Sequence, residues 1–347
     1  MIQMASGNLL MAKTEALVNT VNCVGFMGKG IALQFKKAFP DNFRAYEQAC
    51  RAGRVQPGRM FVFQTGAMFN PKLIINFPTK RHWKGNSRME DIESGLKALI
   101  EEVKDRNIRS IAIPPLGCGL GGLKWSNVRS MIEEAFAGVP DVEVKLYSPT
   151  GAPDAASMPV NTQKPKMTPA RALLIKLMDQ YAKLDYRLSL LEIQKLAYFL
   201  QESGERLKLN YDTGTYGPYA PNLNKVLEIL EGHYIRGYGD NQKPDVLVKL
   251  LPGAPAAADD FLQNHEESRQ RLDRVGELIT GFETPYGMEL LASTHWVATH
   301  AVSKASNVES AILQIHEWTD RKRRMFQEKH IRVAWGRLQE EGWIASA

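Results

Sequence analysis

The stretch Val18-Asn-Thr-Val-Asn-Cys-Val-Gly-Phe-Met-Gly-Lys-Gly-Ile-Ala-Leu-Gln-Phe35 joins a short β-branched run to a glycine-rich turn and then to an amphipathic helix. Three glycines before the helix, Gly25, Gly28 and Gly30, leave backbone N–H groups unshielded, and such groups at a helix N-terminus bind anions. Their order, G-x-x-G-x-G, is not the dinucleotide fingerprint, and Gly30 stands where a P-loop needs Ser or Thr. The segment therefore predicts a diphosphate-type loop of another kind, with Asn22 at the end of the preceding strand.

A second glycine-rich loop has the sequence Pro115-Leu-Gly-Cys-Gly-Leu-Gly-Gly-Leu-Lys-Trp125 and follows another apolar run. Each loop alone is a weak signal, because glycines are common in tight turns. Two such loops, each directly after a strand pattern, indicate a site that holds a diphosphate and a ribose from opposite sides.

The first half of the chain alternates strand and helix patterns. The predicted strands are residues 16–21, 60–64, 73–77, 110–114 and 142–147, and the predicted helices are 31–39, 43–51, 89–106 and 127–137. This alternation predicts a layered α/β domain with a buried sheet, in which ligands bind at the carboxyl ends of the strands.

Composition limits the class of protein. Residues 1–150 hold 20 Lys and Arg against 13 Asp and Glu, whereas residues 151–347 hold 24 against 25. The basic first half favours a polyanionic substrate such as nucleic acid, although a surplus of this size is also common in soluble proteins. The three cysteines form no C-x-x-C pair and the seven histidines no ligand motif, so we expect no disulfide framework, no metal and a cytoplasmic location. No apolar run is long enough to predict a membrane span.

The second half has a different character. Residues 151–169 are rich in Pro, Ala, Ser and Thr and predict a linker between a domain at 1–150 and one at 170–347. Helix-period apolar residues then recur at 172–181, 189–202 and 223–230, a small β element is expected near 246–251, and residues 319–341 predict one charged amphipathic helix. The second domain is therefore expected to be mainly helical.

The first 150 residues resemble the macrodomain, an ADP-ribose-binding α/β/α fold of three layers with a mixed sheet. The motifs that match are 18–23, 27–32, 76–80 and 115–119. Within this family they are similar to the branch that contains the terminal ADP-ribose glycohydrolases and the DarG antitoxins, and a helical second domain after a linker fits the antitoxins. The resemblance implies an enzyme that removes ADP-ribose from thymidine in single-stranded DNA, and a second domain that binds a DarT-type toxin.

The resemblance also implies the site residues. Lys80 matches the catalytic lysine, which either attacks the ribose anomeric carbon or donates a proton to the leaving base. Its activation requires burial or neighbouring cations, such as Arg81 and Lys84. Pro78 is expected to stop the preceding strand. The residues expected to contact ADP-ribose are Asn8, Leu9, Thr20, Val21, Asn22, Gly28, Gly30, Ile31, Ala32, Leu33, Gln34, Thr79, Gly117, Cys118, Gly119, Leu120 and Gly121. No cofactor is expected, because the substrate carries its own leaving group.

Two positions depart from the family pattern. Many macrodomains carry Asp where this chain has Asn8, so adenine recognition is expected to depend on backbone amides and Leu9. The terminal glycohydrolases carry an Asp at the position of Gly121, and a mechanism that needs this carboxylate is not available here. Asn22 is interpreted either as a ligand of the ribose hydroxyls or as a turn-stabilising residue. Cys118 is interpreted as a packing residue, since no base is identifiable beside it.

The second half contains two further candidate features. Residues 211–219 contain Tyr216-Gly-Pro-Tyr219, which resembles part of an antitoxin module and is either an interaction surface or a packed turn. Residues 228–289 hold 12 acidic and 6 basic residues, either an imitation of DNA phosphates or a solvated acidic face. Two other functions remain open at this point: hydrolysis of protein-linked ADP-ribose esters, and non-catalytic reading of ADP-ribose.

Overall fold

The computed structural model describes residues 1–149, 157–182, 188–239 and 247–345. Its contacts divide the chain into two compact units. The first contains residues 1–164 with 239–242, and the second contains residues 165–238 with 243–347. The expected linker falls partly outside the described residues.

The first unit alternates strands and helices, as the sequence predicts. Its strands are β1 (Ile2–Ala5), β2 (Ala16–Asn22), β3 (Phe61–Gln64), β4 (Leu73–Lys80), β5 (Ser110–Ile113) and β6 (Glu143–Tyr147). Its helices are α1 (Gly30–Ala38), α2 (Pro40–Arg51), α3 (Met89–Asp105) and α4 (Trp125–Ala137). Strand β1 and a 3-10 turn at Leu9–Met11 are absent from the sequence-based assignment. The sequence of β1, Ile-Gln-Met-Ala, has a single β-branched residue and no aromatic one, so it gives a weak strand signal.

The six strands form one mixed sheet in the order β1-β6-β5-β2-β4-β3, in which only the edge strand β3 runs antiparallel to its neighbour. Strands β2 and β5 pair only at Ala16 with Ile111 and at Leu17 with Ala112. After these two pairs, β2 and β5 are no longer paired with each other. The chain order also reverses between these strands, so the loops that follow them open over a topological switch point, where ligands bind in open α/β sheets.

Alternate residues of β2 face two apolar cores, which gives the three-layer arrangement. Ala16 and Val18 pack with α3 and α4 on one face, in a cluster that includes Leu96. Leu17 packs on the other face with Phe35 of α1. Burial on both faces is the reason why β2 begins with the uninterrupted apolar run Ala16-Leu17-Val18.

The expectation that Pro78 ends its strand is wrong. Strand β4 continues through Pro78, which pairs with Val21, as far as Lys80. The pairing with β3 ends at Asn76, so the proline lies where β4 has a neighbour on one side only and its missing N–H is tolerated. A register shift after Val21 then sets Lys80 opposite Asn22.

The second unit is mainly helical. Its helices are α5 (Pro169–Ala182), α6 (Leu190–Glu202), α7 (Leu223–Leu230), α8 (Ala254–Leu262), α9 (Glu266–Ile279), α10 (Pro285–Thr299), α11 (Val308–Trp318), α12 (Asp320–Met325) and α13 (Glu328–Glu340). Two short antiparallel pairs join β7 (Asp212–Gly214) with β8 (Gly217–Tyr219), and β9 (Ile235–Arg236) with β10 (Lys249–Leu250), the latter near the expected β element.

Helix α10 is the core of this unit: residues 287–297 are all buried, and the helix packs on α6, α11, α13 and β8. The expected single tail helix is instead α12 and α13. The break buries Phe326 against Tyr286, with ring centroids 5.3 Å apart. Within the described residues, no helix has the length and apolarity to cross a membrane.

Candidate active site

The first glycine-rich loop is organised by Asn22, the last residue of β2. Its Oδ1 accepts the backbone N–H of Val24 at 3.0 Å, and its Nδ2 donates to the carbonyl of Phe26 at 2.5 Å. The buried hydroxyl of Tyr46 donates to the Asn22 carbonyl at 2.6 Å. These bonds give Asn22 the turn-stabilising role that its sequence position suggested. A contact between its second amide hydrogen and a ribose stays a prediction.

Helix α1 starts at the end of this loop, where the N–H of Gly30 donates to the carbonyl of Gly239 at 2.6 Å. The side chain of Lys29, the residue before the helix, makes no capping hydrogen bond. Gly30 has a φ of +58°, a left-handed conformation that glycine adopts without strain. The other first-turn N–H groups lack partners within the helix and carry the positive end of its dipole, so this end of α1 suits phosphate oxygens.

The second glycine-rich loop folds back on itself through its own backbone. The N–H of Cys118 donates to the carbonyl of Pro115, and the N–H of Leu123 donates to the carbonyl of Gly117, both at 3.1 Å. Around Gly119, by contrast, no atom of the described residues other than its two chain neighbours lies within 4 Å of the position that a Cβ would take. The closed loop therefore leaves Gly119 open to a ligand.

Gly121 is required by packing. An added Cβ would lie 2.2 Å from the Oγ of Ser87 and 2.3 Å from the carbonyl oxygen of Gly117. The loop as folded consequently has no room for a carboxylate at this position. Ser87 itself was not found from the sequence: its N–H donates to the Gly121 carbonyl at 3.0 Å, and its buried hydroxyl lacks a partner among the described residues.

Lys80, at the end of β4, joins the two loops. Its Nζ donates a short hydrogen bond to the carbonyl of Leu120 in the second loop. The Leu120 side chain lies beside Gly30 in the first loop, 3.5 Å from where a Cβ would stand. Burial lowers the pKa of Lys80, which favours the neutral, nucleophilic amine.

The neighbouring cations do not act as expected from the sequence. Arg81 is held by Asp91 through two bonds of 3.2 and 3.0 Å. This carboxylate compensates the guanidinium charge and raises the pKa of Arg81. Desolvation therefore accounts for the lowered pKa of Lys80, and Arg81 positions the chain instead of activating the amine.

The residues expected to contact ADP-ribose occupy different environments. Leu9, Val21 and Leu33 are buried in apolar clusters or the core. Asn8 caps the 3-10 turn, accepting the N–H of Leu10 at 3.0 Å, and its Nδ2 donates to the Ser157 carbonyl at 3.1 Å. Thr79 is also buried, whereas Thr20, Ile31, Ala32 and Gln34 are partly exposed. Burial raises the pKa of the Cys118 thiol to about 11, which suits a packing role.

Glu202, His295 and His300 of the second unit bring their ligand atoms within 4.8 Å of one another, a grouping that no sequence motif announced. The Nδ1 of His295 is already 2.7 Å from the hydroxyl of Tyr198. Burial lowers the pKa of His295 to about 3, so its imidazole is neutral. The group is consistent with a hydrogen-bond network around the buried His295, and the expected absence of a metal stays a prediction.

The acidic stretch 228–289 is not a uniform surface. Glu289 is 1% exposed and accepts from Arg321 at 2.7 and 3.0 Å and from the buried Nζ of Lys322 at 2.8 Å. Glu231 is buried and accepts the backbone N–H of Tyr238 at 3.0 Å. These two carboxylates serve the core, so a surface that imitates DNA phosphates could use only the remaining acidic residues.

Residues 211–219 are interpreted from the sequence either as a packed turn or as an interaction surface. The β7–β8 hairpin has features of both, because one part of it is buried and its tyrosines are accessible. The buried Nζ of Lys195 donates to the carbonyl of Pro218 at 2.6 Å. Tyr216 and Tyr219 at the turn remain about two-fifths exposed, at 37% and 41%, and the guanidinium of Arg321 lies 4.6 Å from the Tyr216 ring. A rigid base therefore presents two accessible tyrosines.

Comparison with known proteins found a family model and several relatives that match this chain. The Macro domain family model matches residues 18–132. A "DNA ADP-ribosyl glycohydrolase" of Thermus aquaticus is 47% identical over 342 residues, which cover 99% of this chain and 94% of that protein. A "DNA ADP-ribosyl transferase-DNA ADP-ribosyl glycohydrolase fusion protein" of Thermosipho africanus is 32% identical over 163 residues, which cover 43% of this chain and 42% of the fusion.

Among solved structures, the macrodomain of Mycobacterium tuberculosis DarG is 55% identical, with a TM-score of 0.43. The match covers 43% of this chain and 99% of that one. The Thermus relative is similar along almost its whole length, so the likeness extends through both units of this chain and beyond the glycine-rich loops.

Proposed function

The chain belongs to the DNA ADP-ribosyl glycohydrolase family, and from this membership we propose that its first unit hydrolyses the bond between ADP-ribose and thymidine in single-stranded DNA, while its second unit binds a DarT-type toxin. One observation supports the proposed hydrolysis by the first unit. The partly buried amine of Lys80 lies at the meeting point of the two glycine-rich loops, hydrogen-bonded to the Leu120 carbonyl. A diphosphate held by the loop amides presents the distal ribose to this amine.

Two chemical roles for Lys80 follow from its lowered pKa. As a nucleophile, the amine nitrogen bonds to the ribose anomeric carbon while the bond to thymine breaks, and a proton of the amine passes to the leaving thymine. The ribose ring then opens to give an iminium on Lys80, and water hydrolyses this iminium to release ADP-ribose and the free amine. As an acid, the ammonium donates a proton to the leaving thymine while water attacks the same carbon. Borohydride reduction followed by mass spectrometry distinguishes them, because only the first role gives an adduct on Lys80.

The test of the catalytic half uses the full chain and an ADP-ribosylated thymidine oligonucleotide. Lys80→Ala should lower the rate of ADP-ribose release by at least about 100-fold, the usual scale for a lost acid–base group, while free ADP-ribose still binds. Lys80→Arg should be equally impaired, because arginine keeps the charge but does not release its proton. Lys72→Ala is the matched control, since Lys72 is an exposed lysine just before the other end of β4.

Two outcomes would contradict this assignment. Near-normal release by Lys80→Ala would remove Lys80 from the mechanism. Release from ADP-ribosylated glutamate of a protein, with none from the oligonucleotide, would favour the ester hydrolase, and binding without release from either substrate would favour a reader.

Two observations support the toxin-binding half. The Thermosipho relative is named as a fusion of a DNA ADP-ribosyl transferase with a DNA ADP-ribosyl glycohydrolase in one chain, so a transferase partner is chemically reasonable here. The hairpin that carries Tyr216 and Tyr219 offers accessible aromatic side chains on a packed base, and tyrosines of this kind are common at protein interfaces.

Full-length Lys80→Ala protein provides the test, because it separates sequestration from hydrolysis. We expect this variant to bind the toxin and to block DNA modification in proportion to its concentration, one molecule for one. If binding uses imitation of DNA, it should weaken with salt, and single-stranded DNA should compete. Failure of the variant to bind or inhibit the toxin would leave only the hydrolase.

A further inference from the structure

An exposed group of aromatic rings lies next to the candidate active site. Phe26 and Trp83 are 41% and 42% exposed, with ring centroids 5.5 Å apart and planes inclined by 38°. His82 stacks on Trp83 at 5.5 Å and 29°, and the Nζ of Lys84 is 5.1 Å from the Trp83 ring. We call Phe26, His82 and Trp83 the aromatic platform. None of these rings has a role in the chemistry assigned to Lys80.

Local contacts fix both parts of the platform, Phe26 in the first loop and the segment that contains His82 and Trp83. A Cβ at Gly28 would lie 2.4 Å from the Phe26 ring, so the absence of a side chain there lets the ring fold over the first loop. The N–H of Lys84 donates to the Nδ1 of His82 at 3.2 Å, and the N–H of Gly85 donates to the His82 carbonyl at 3.1 Å. Rings that are fixed before binding lose little conformational freedom when a ligand arrives.

The aromatic platform lies close in the chain to Lys80 and to the first glycine-rich loop, where the substrate is proposed to bind. Trp83 follows Lys80 by three residues, a length of chain that spans at most about 10 Å. Phe26 belongs to the loop that leads into Gly30 at the start of α1. The first unit has another strongly exposed aromatic residue, Phe69, which is 81% exposed and precedes β4 at the end opposite to Lys80.

We propose that the aromatic platform stacks a nucleobase of the single-stranded DNA that flanks the modified thymidine. This inference rests on the proposed function, because it takes Lys80 as the position of the bond that breaks. Bases of any sequence stack on aromatic side chains, and nearby cations contact the phosphates between them. Lys84 supplies such a cation, within a unit that carries a net positive charge. A protein-linked ADP-ribose has no flanking base, so the platform favours DNA as substrate.

The test compares two substrates of the full-length enzyme: an ADP-ribosylated thymidine within a single-stranded oligonucleotide, and ADP-ribosyl-thymidine without flanking nucleotides. Trp83→Ala should lower kcat/KM for the oligonucleotide by roughly 5- to 150-fold, the range of one lost base–aromatic stack, mainly through KM. The rate with the isolated nucleoside and the affinity for ADP-ribose should stay within about twofold of the parent. Trp83→Phe should retain most of the activity, and Phe69→Ala is the matched control.

Equal losses on both substrates would overturn the proposal, because the rings would then support the catalytic loops instead of a flanking base. An unchanged oligonucleotide rate in the Phe26→Ala, Trp83→Ala double variant would overturn it as well. Binding of an unmodified single-stranded oligonucleotide, followed by anisotropy, keeps the two proposals distinguishable. If the parent enzyme releases no ADP-ribose but Trp83→Ala still weakens this binding, the platform stands and the proposed reaction fails.

Discussion

Replacement of Glu289 with alanine removes the counter-ion of a fully buried lysine in the second unit. Lys322 is 0% exposed, and its Nζ lies 2.8 Å from the Glu289 carboxylate and 2.9 Å from the hydroxyl of Ser293. Burial already lowers the pKa of Lys322, and the carboxylate opposes that shift. Without Glu289, the lysine must either remain charged in an apolar interior or lose its proton.

The expected cost is large on the scale of protein stability. Breaking a buried ion pair by removal of one partner destabilises a protein by about 3–5 kcal/mol. For a folding unit of this size, each kcal/mol lowers the melting temperature by about 2–4 °C. Glu289→Ala should therefore lower the melting temperature of the second unit by roughly 6–20 °C.

Differential scanning calorimetry measures this effect, and saturating ADP-ribose should identify the transition of the first unit by raising it. Glu309→Ala is the control. Glu309 pairs with Arg332 through bonds of 2.6 and 2.9 Å at the surface, where solvent screens the charges, so its loss should leave the melting temperature close to that of the parent.

A double variant separates the charge effect from loss of packing. Glu289→Leu combined with Lys322→Met removes both charges and should be more stable than Glu289→Ala alone. Arg321 is partly exposed and can then turn to solvent. A melting temperature for Glu289→Ala within about 2 °C of the parent would refute the reasoning, as would a double variant less stable than the single one.

Four further predictions concern pH and the two loops. Burial lowers the pKa of Lys195 to about 7, so between this value and its ordinary value of 10.5 the unfolded chain binds more protons than the folded one. The free energy of unfolding of the second unit should rise from pH 7 to 9 in denaturant titrations, and Lys195→Met should remove this rise. Gly121→Ala should destabilise the first unit by about 1–3 kcal/mol in the same titrations, because its Cβ overlaps the loop. A bulky residue at Gly119 should leave stability unchanged but abolish ADP-ribose binding in calorimetry. Asn22→Ala should weaken both ADP-ribose affinity and turnover, because it loses the bonds that shape the first loop.

The sequence alone predicted the alternation of strands and helices, the two glycine-rich loops and the change to a helical second half. These features depend on local properties: the period of apolar residues, and glycines that accept backbone conformations closed to other residues. The conformations of Gly30 and Gly117, both with positive φ, follow from this local code. Lys80 was found through the resemblance to a family, since a lysine after a strand is otherwise a common surface feature.

Only the tertiary structure decided what surrounds these residues. The hydrogen bond from Lys80 to Leu120 joins residues 40 positions apart. Arg81 pairs with Asp91, so its charge is compensated by that carboxylate. The close approach of Ser87 to the second loop leaves no space for a side chain at Gly121. Such contacts join residues far apart in the chain, so they depend on strand order and register, which no local pattern encodes. For the same physical reason Glu289, one acidic residue among many in the sequence, became the buried partner of Lys322.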